Sequence, residues 1–63
     1  MIFNFLVLDD SGTLLTDRPM GFGAPLPAER TVITIDGMHR RVERIKIDYD
    51  TTPMRVTVIT SQM

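Results

Sequence analysis

Hydrophobic and polar residues alternate along much of the chain with the period of two that is typical of β-strands. The alternation is cleanest over residues 54–60, where every second residue from Met54 to Val58 is apolar. Segments 31–35 and 41–49 are likewise rich in β-branched residues, and turn-forming residues separate the three segments. The pattern therefore predicts three β-strands in the second half of the chain.

The first apolar run, residues 2–8, is hydrophobic on both of its faces. Phe3, Phe5 and Val7 occupy one face of the predicted strand, and aliphatic side chains occupy most of the other face. In so short a chain the second apolar face needs a cover, which is either a loop that folds back or another copy of the chain. We predict a homo-oligomer that forms through this strand.

Turn residues at 10–13 predict a first hairpin, in which residues 13–16 return as the second strand. The following segment, 18–28, holds three of the four prolines and two of the four glycines, which predicts a long loop that does not continue the ladder. Loops of this length are uncommon in compact domains and are often functional.

The loop supplies the candidate partner-binding residues Met20, Phe22 and Leu26. An aromatic ring between two glycines is well suited to act as an exposed anchor for a protein partner, and this is our hypothesis for Phe22. The alternative is that Phe22 and Leu26 fold under the barrel and cap its open end.

The segment after residue 37 contains a change of phase. Val42 is at an even position, whereas Ile45, Ile47 and Tyr49 are at odd positions, so a regular strand would place Val42 on the opposite face from the other three. A β-bulge near residues 43–44 would bring all four side chains to the inner face, because a bulge inserts one extra residue into a strand. We therefore predict a bulged strand with Tyr49 pointing inward.

We predict one all-β domain over residues 1–63, a small five-stranded antiparallel barrel of the SH3-like type in which two hairpins are joined by the Pro/Gly-rich loop. Asp36 and Gly37 form the strongest hairpin signal. A short helix over 38–48 is the alternative to a strand there. A chain of 63 residues has a thin core, and with no cysteine and one histidine it has no disulfide framework or zinc site to support it. Oligomerisation is the expected supplement.

No catalytic arrangement is visible in the sequence. Residues 6–15 resemble the opening motif of haloacid dehalogenase-type phosphatases, but Ser11 stands where that motif has the aspartate before its glycine. His39 is the single histidine and lies beside a turn, so no nucleophile and base form a pair. The acidic clusters at 9–10 and 48–50 are interpreted as turn-forming carboxylates and not as cation ligands. We predict no enzyme activity, cofactor or metal site.

Six of the seven basic residues follow residue 29, which predicts a basic strip on the last strands. Such a strip could follow a phosphate backbone, as in other small barrels. Carboxylates at 43, 48 and 50 interleave with the cations, and aromatic residues for stacking are scarce, so we favour a solvated or protein-binding face. The residues of the strip are Arg40, Arg41, Arg44, Lys46 and Arg55.

The net charge of −1 supplies no overall attraction for a polyanion, and the N-terminal apolar run is shorter than the roughly 20 residues of a membrane-spanning helix. We predict a cytoplasmic, non-enzymatic interaction protein that binds a protein partner through the 18–28 loop or a sheet edge. Such an accessory protein, adaptor or inhibitor is typical of phages and mobile elements. The first alternative is a nucleic-acid-binding barrel, and the second is a self-assembling structural subunit.

Overall fold

The computed structural model describes all 63 residues and contains five β-strands and no helix. The strands are β1 (Ile2–Leu8), β2 (Leu14–Gly21), β3 (Val32–Ile35), β4 (Met38–Asp48) and β5 (Arg55–Gln62). They form one sheet in the order β2-β1-β5-β4-β3, which curves into a half-barrel. The all-β prediction is confirmed, and a strand occupies the segment for which a helix was the alternative. No part of the structure is a helix long and apolar enough to cross a membrane.

The sheet is mixed, and the predicted all-antiparallel arrangement is therefore wrong. β1 pairs antiparallel with β2, β3 with β4, and β4 with β5. At the centre of the sheet, however, β1 and β5 lie parallel. Residue alternation determines which side chains share a face of a strand, but it carries no information about the direction of the neighbouring strand. The same order leaves β2 and β3 as the two edges.

The inner face of the sheet carries the hydrophobic core. The central strands β1 and β5 supply most of it, because both have neighbours on each side and alternate apolar residues on their inner face. The buried core residues are Phe3, Phe5, Val7, Val42, Val56 and Val58.

β4 shows the predicted change of phase. Its register against β5 shifts immediately after Val42, which is the β-bulge expected at residues 43–44. Val42 is fully buried, and Ile45 and Ile47 pack half-buried against the same core. Tyr49 lies beyond the end of the strand and is 75% exposed, so its predicted inward position is wrong.

β2 extends to residue 21 and so includes the first part of the segment that was predicted to be a loop. Pro19 pairs with Asn4 of β1. The N–H of Phe22 donates to the carbonyl of Met1 (3.4 Å), and residues that face the neighbouring strand alternate with residues that face away. Phe22 and Pro19 have opposite parity, so the main-chain nitrogen of Pro19 points away from β1. Its missing N–H therefore removes no hydrogen bond between the two strands. This position is what allows the strand to continue through a proline.

The β3–β4 hairpin closes with the predicted turn at Asp36 and Gly37. Both residues have positive φ, 50° and 78°, which is the combination required by a type I′ turn. The turn pairs Ile35 with Met38 and thereby sets the register of the hairpin. As a result, Ile33 and Ile35 lie half-buried against the core.

Candidate protein-binding groove

A groove opens between the two edge strands, β2 and β3. Its lining comes from both edges and from the loop that connects them, and its volume is about 410 Å³. The apolar side chains that line it are Phe5, Met20, Leu26, Ile33 and Ile35, with Pro25 and Pro27 of the loop.

An ion pair bridges the two edges at this groove. The guanidinium of Arg18 on β2 donates to the carboxylate of Asp36 in the β3–β4 turn, and this is the single ion pair of the protein. Hydrogen bonds from the Thr16 hydroxyl, and then from Arg18, lower the pKa of the Asp36 carboxyl because they stabilise its charged form. Both partners are exposed, so the pair adds little stability, but it closes the groove at the turn.

Two of the three predicted partner-binding residues line the groove. Met20 packs half-buried against the core, and Leu26 is 44% exposed. Phe22 does not line the groove: its ring lies 6.0 Å from the ring of Phe3, although the residue is 53% exposed. Phe22 therefore combines a contact with the core residue Phe3 and an exposed ring, and its role as an anchor stays a prediction.

The sequence provided no sign that Ile33 and Ile35 belong to this site. Alternate apolar residues in a short strand are typical of a core strand, and both residues do contact the core. Their second role arises only because β3 is an edge that lies opposite β2 across the groove.

β1 is an interior strand, since it pairs with β2 on one side and with β5 on the other. Assembly through residues 2–8 would therefore use the outer face of the sheet and not the backbone. On that face Leu6 and Leu8 lie half-buried beside Ile59. Loop residues line the groove on the inner side, next to Phe5, and so do not supply the cover that the outer apolar face was predicted to need.

Four of the five residues of the basic strip share the outer face of β4 and β5. Arg41, Arg44 and Lys46 alternate with the inward residues of β4, and Arg55 lies on the same face of β5. All four are exposed and none forms an ion pair. The exposed ring of Tyr49 follows directly after β4.

Two of the carboxylates near these cations accept hydrogen bonds from other groups. Glu43 accepts a hydrogen bond from the Ser61 hydroxyl (2.6 Å), and Asp48 accepts one from the N–H of Asp50 (2.9 Å). None of the carboxylates forms an ion pair with the basic strip. Asp48 nevertheless lies directly opposite Arg55 on the outer face, so the carboxylates stay interleaved with the cations.

Arg40 does not lie with the other basic residues. Its Nε donates to the hydroxyl of Thr60 (3.1 Å), and that hydroxyl donates to the carbonyl of Leu8 (2.7 Å). Since Thr60 is fully buried, this chain of hydrogen bonds holds Arg40 on the inner side of the sheet.

The carboxylate of Asp9 is hydrogen-bonded within its own turn. It accepts hydrogen bonds from the N–H and hydroxyl of Ser11 (2.9 and 2.6 Å) and from the N–H of Thr13 (2.9 Å). These bonds, the Ser11 hydroxyl most of all, lower the pKa of Asp9. No group of three or more His, Asp or Glu side chains lies close enough together to hold a metal ion.

Comparison with known proteins does not assign the groove. No family model matches the chain, and neither a curated protein nor a solved structure is similar to it. Function has to be inferred from the geometry of the surfaces themselves.

Proposed function

We propose that this chain is a non-enzymatic interaction protein that binds an apolar segment of a protein partner in the groove between β2 and β3. The observation that carries the proposal is the groove itself, which exposes apolar side chains from both edges and the loop around about 410 Å³ of open space. Burial of such a surface favours association by roughly 25 cal/mol per Å² of apolar area. An accessory protein, adaptor or inhibitor would use the groove in this way.

The polar groups around the groove already have partners. Arg18 and Asp36 pair with each other, and the Thr34 hydroxyl shares a hydrogen bond with Nδ1 of His39 (2.9 Å). A charged ligand would have to break these bonds, whereas an apolar side chain would not. The groove therefore favours an apolar segment. SH3-like barrels bind polyproline segments in aromatic-lined grooves, and the feature we propose that this protein shares with them is the use of an apolar groove on a small barrel.

Capture of partners from a nuclease-treated lysate of the host organism tests this function. With the wild-type protein as bait we expect one protein partner in stoichiometric amount. Leu26→Asp places a charge in the groove and should remove the partner, with little change in the melting temperature because Leu26 is partly exposed. Arg44→Ala on the outer face is the matched control and should retain it. Loss with Arg44→Ala, or retention with Leu26→Asp, would place the binding site outside the groove.

The outer face supports a second candidate function, which is the binding of nucleic acid. Arg41, Arg44, Lys46 and Arg55 are exposed on one face without carboxylate partners, and the Tyr49 ring is exposed next to them. Cations in this state are free to contact phosphates, and an exposed ring can stack on a base. The net charge of −1 provides no long-range attraction, so the groove remains the first proposal.

A salt titration with a fluorescent single-stranded oligonucleotide tests the second candidate. If the outer face binds phosphates, affinity should fall steeply with salt, and Arg41→Ala and Arg44→Ala should each reduce the logarithmic slope by about 0.7. Arg40→Ala is the matched control, since this side chain is bonded to Thr60 on the inner side. The absence of binding at low salt would reject this function.

A further inference from the structure

The free edge of β3 carries main-chain groups that have no partner. The N–H of Val42 donates to the carbonyl of Thr31 (2.8 Å), so odd-numbered residues of this segment face β4. Val32 and Thr34 alternate with them, and their N–H and C=O groups therefore point away from β4. None of the backbone hydrogen bonds made by loops and turns reaches Val32 or Thr34. The edge thus offers donors and acceptors at strand spacing.

This edge lacks most of the features that protect exposed strands. Its sequence, Val-Ile-Thr-Ile over 32–35, contains no proline and no charge, and its pairing with β4 has no bulge. All four residues are β-branched and favour extended backbone. The strand is protected by its short length. An edge of this kind is a template for the addition of another strand.

β2 and β3 do not pair with each other across the mouth of the half-barrel. Hydrogen-bonded strands lie about 4.8 Å apart, so a strand inserted between two others needs nearly 10 Å. No Cα atom of β2 lies within 8 Å of a Cα atom of β3, and the 410 Å³ groove occupies the interval between them. We take a single extended segment and not a folded second copy as the occupant, because one strand is the narrowest element that can use the edge.

The side chains of an added strand would meet an apolar surface. Ile33 and Ile35 lie on the inner face of β3 and line the groove. Residues at the same level on neighbouring strands point to the same face, so every second residue of the added strand would point into the groove. Those residues would contact Met20 and Leu26 on the opposite wall.

We propose that the ligand of the groove is an extended polypeptide segment that adds to β3 as a sixth strand. It hydrogen-bonds to the outward-facing main chain of Val32 and Thr34 and places alternate apolar side chains in the groove. This inference rests on the proposed function and specifies the class of partner. In this mode of binding the main-chain hydrogen bonds to β3 give affinity, and the groove gives specificity by accepting the alternate side chains.

Selection from a displayed library of random linear peptides tests the proposal with a defined probe. We expect enriched sequences in which apolar residues occupy every second position. A synthetic peptide of the enriched sequence is then added to ¹⁵N-labelled protein, and amide hydrogen exchange is measured. The Val32 and Thr34 amides should slow at least tenfold on binding. The Ile33 amide, which already faces β4, should be protected in both states and serves as the internal control.

Proline variants test the same main-chain contacts. Thr34→Pro removes an outward-facing N–H and leaves the bonds to β4 in place, so we expect peptide affinity to fall at least tenfold. Thr34→Ala is the matched control, because it removes the hydroxyl but keeps the N–H. If Thr34→Pro fails to fold, Val32→Pro with Val32→Ala as its control makes the same test.

The outcomes separate this inference from the function on which it rests. If Leu26→Asp abolishes peptide binding but the Val32 and Thr34 amides are not slowed, the groove function is supported and the added strand is overturned. Enriched peptides with apolar residues at helical spacing would also overturn it. If no peptide is enriched, or if Leu26→Asp binds as well as the wild type, the groove function and the added strand are both overturned.

Discussion

The two edge strands border the same groove but differ in how they are protected. β2 has Pro19 at an outward-facing position, the charged residues Asp17 and Arg18, and a register shift near its start. β3 has only β-branched residues and a regular register. A proline at an outward position removes the donor that an incoming strand needs, and charges and bulges further oppose pairing.

Because of this difference, the two sides of the groove contribute different groups to binding. An added strand finds main-chain donors and acceptors on the β3 side, whereas on the β2 side Pro19 interrupts them. The β2 side instead contributes side chains, Met20 as part of the apolar wall and Arg18 as the bridge to the β3–β4 turn. The β3 edge therefore supplies main-chain hydrogen bonds, and the β2 edge supplies side-chain contacts.

The largest expected effect is a difference in stability between prolines placed at inward-facing and outward-facing positions of β3. Ile33→Pro should lower the free energy of unfolding by about 2 kcal/mol or more, because it removes a bond to β4 and leaves a carbonyl without its donor. Thr34→Pro should lower it by less than about 1 kcal/mol, because its N–H faces away from β4. Urea denaturation measures both. Equal losses would mean that the assignment of inward and outward residues is wrong.

Two residues of the loop between the edges, Phe22 and Leu26, give a pair of variants with opposite expected effects on stability and binding. Phe22→Ala should lower the free energy of unfolding by about 1 kcal/mol, because it removes the ring that packs on Phe3, and it should leave peptide binding unchanged. Leu26→Ala should do the reverse and weaken binding with little effect on stability. Thermal unfolding and peptide titration of both variants make the comparison. A loss of binding in Phe22→Ala would extend the site to that ring.

Pro19→Ala tests whether β2 is protected by its proline. The variant gains an outward-facing N–H at the centre of the strand, and we expect sedimentation to show a larger average mass than for the wild type at the same concentration. Stability should fall by about 0.4–1 kcal/mol, because the unfolded chain becomes less restricted. An unchanged mass would show that the charges and the register shift suffice to protect this edge.

The smallest effect concerns the ion pair that joins the edges. The pKa of Asp36 is lowered from its ordinary value of 3.8, so its contribution to stability is complete above that value and is lost as pH falls through the lower folded value. The wild type should therefore lose more stability below about pH 4 than Asp36→Asn, which keeps a good type I′ turn. Asp9 acts with the same sign and is unchanged in both proteins. Parallel acid melting curves would contradict a role for the pair.

Local features of the fold could be predicted because residue type and parity decide them. The turn at Asp36 and Gly37 needs two residues that tolerate positive φ, and the phase change after Val42 requires one extra residue. The continuation of β2 through Pro19 could not be predicted in this way. A proline is excluded from an interior strand but accepted at an outward position of an edge, and residue type does not say which strand is an edge.

The candidate site was predicted only in part for the same reason. Met20 and Leu26 were found because they belong to an unusual segment, whereas Ile33 and Ile35 look like ordinary core residues. Arg40 separates from the basic strip because its parity places it inward, where Thr60 accepts its hydrogen bond.

The all-β class, the faces of the strands, the bulge and the hairpin turn follow from local sequence, because each of these depends on residues close together in the chain. The parallel pairing of β1 with β5, the position of β2 and β3 at the edges, and the groove between them arise from the packing of the whole chain. These features depend on which distant strands bury their apolar faces together. Many strand orders satisfy the same alternation, and packing of the whole core selects one of them.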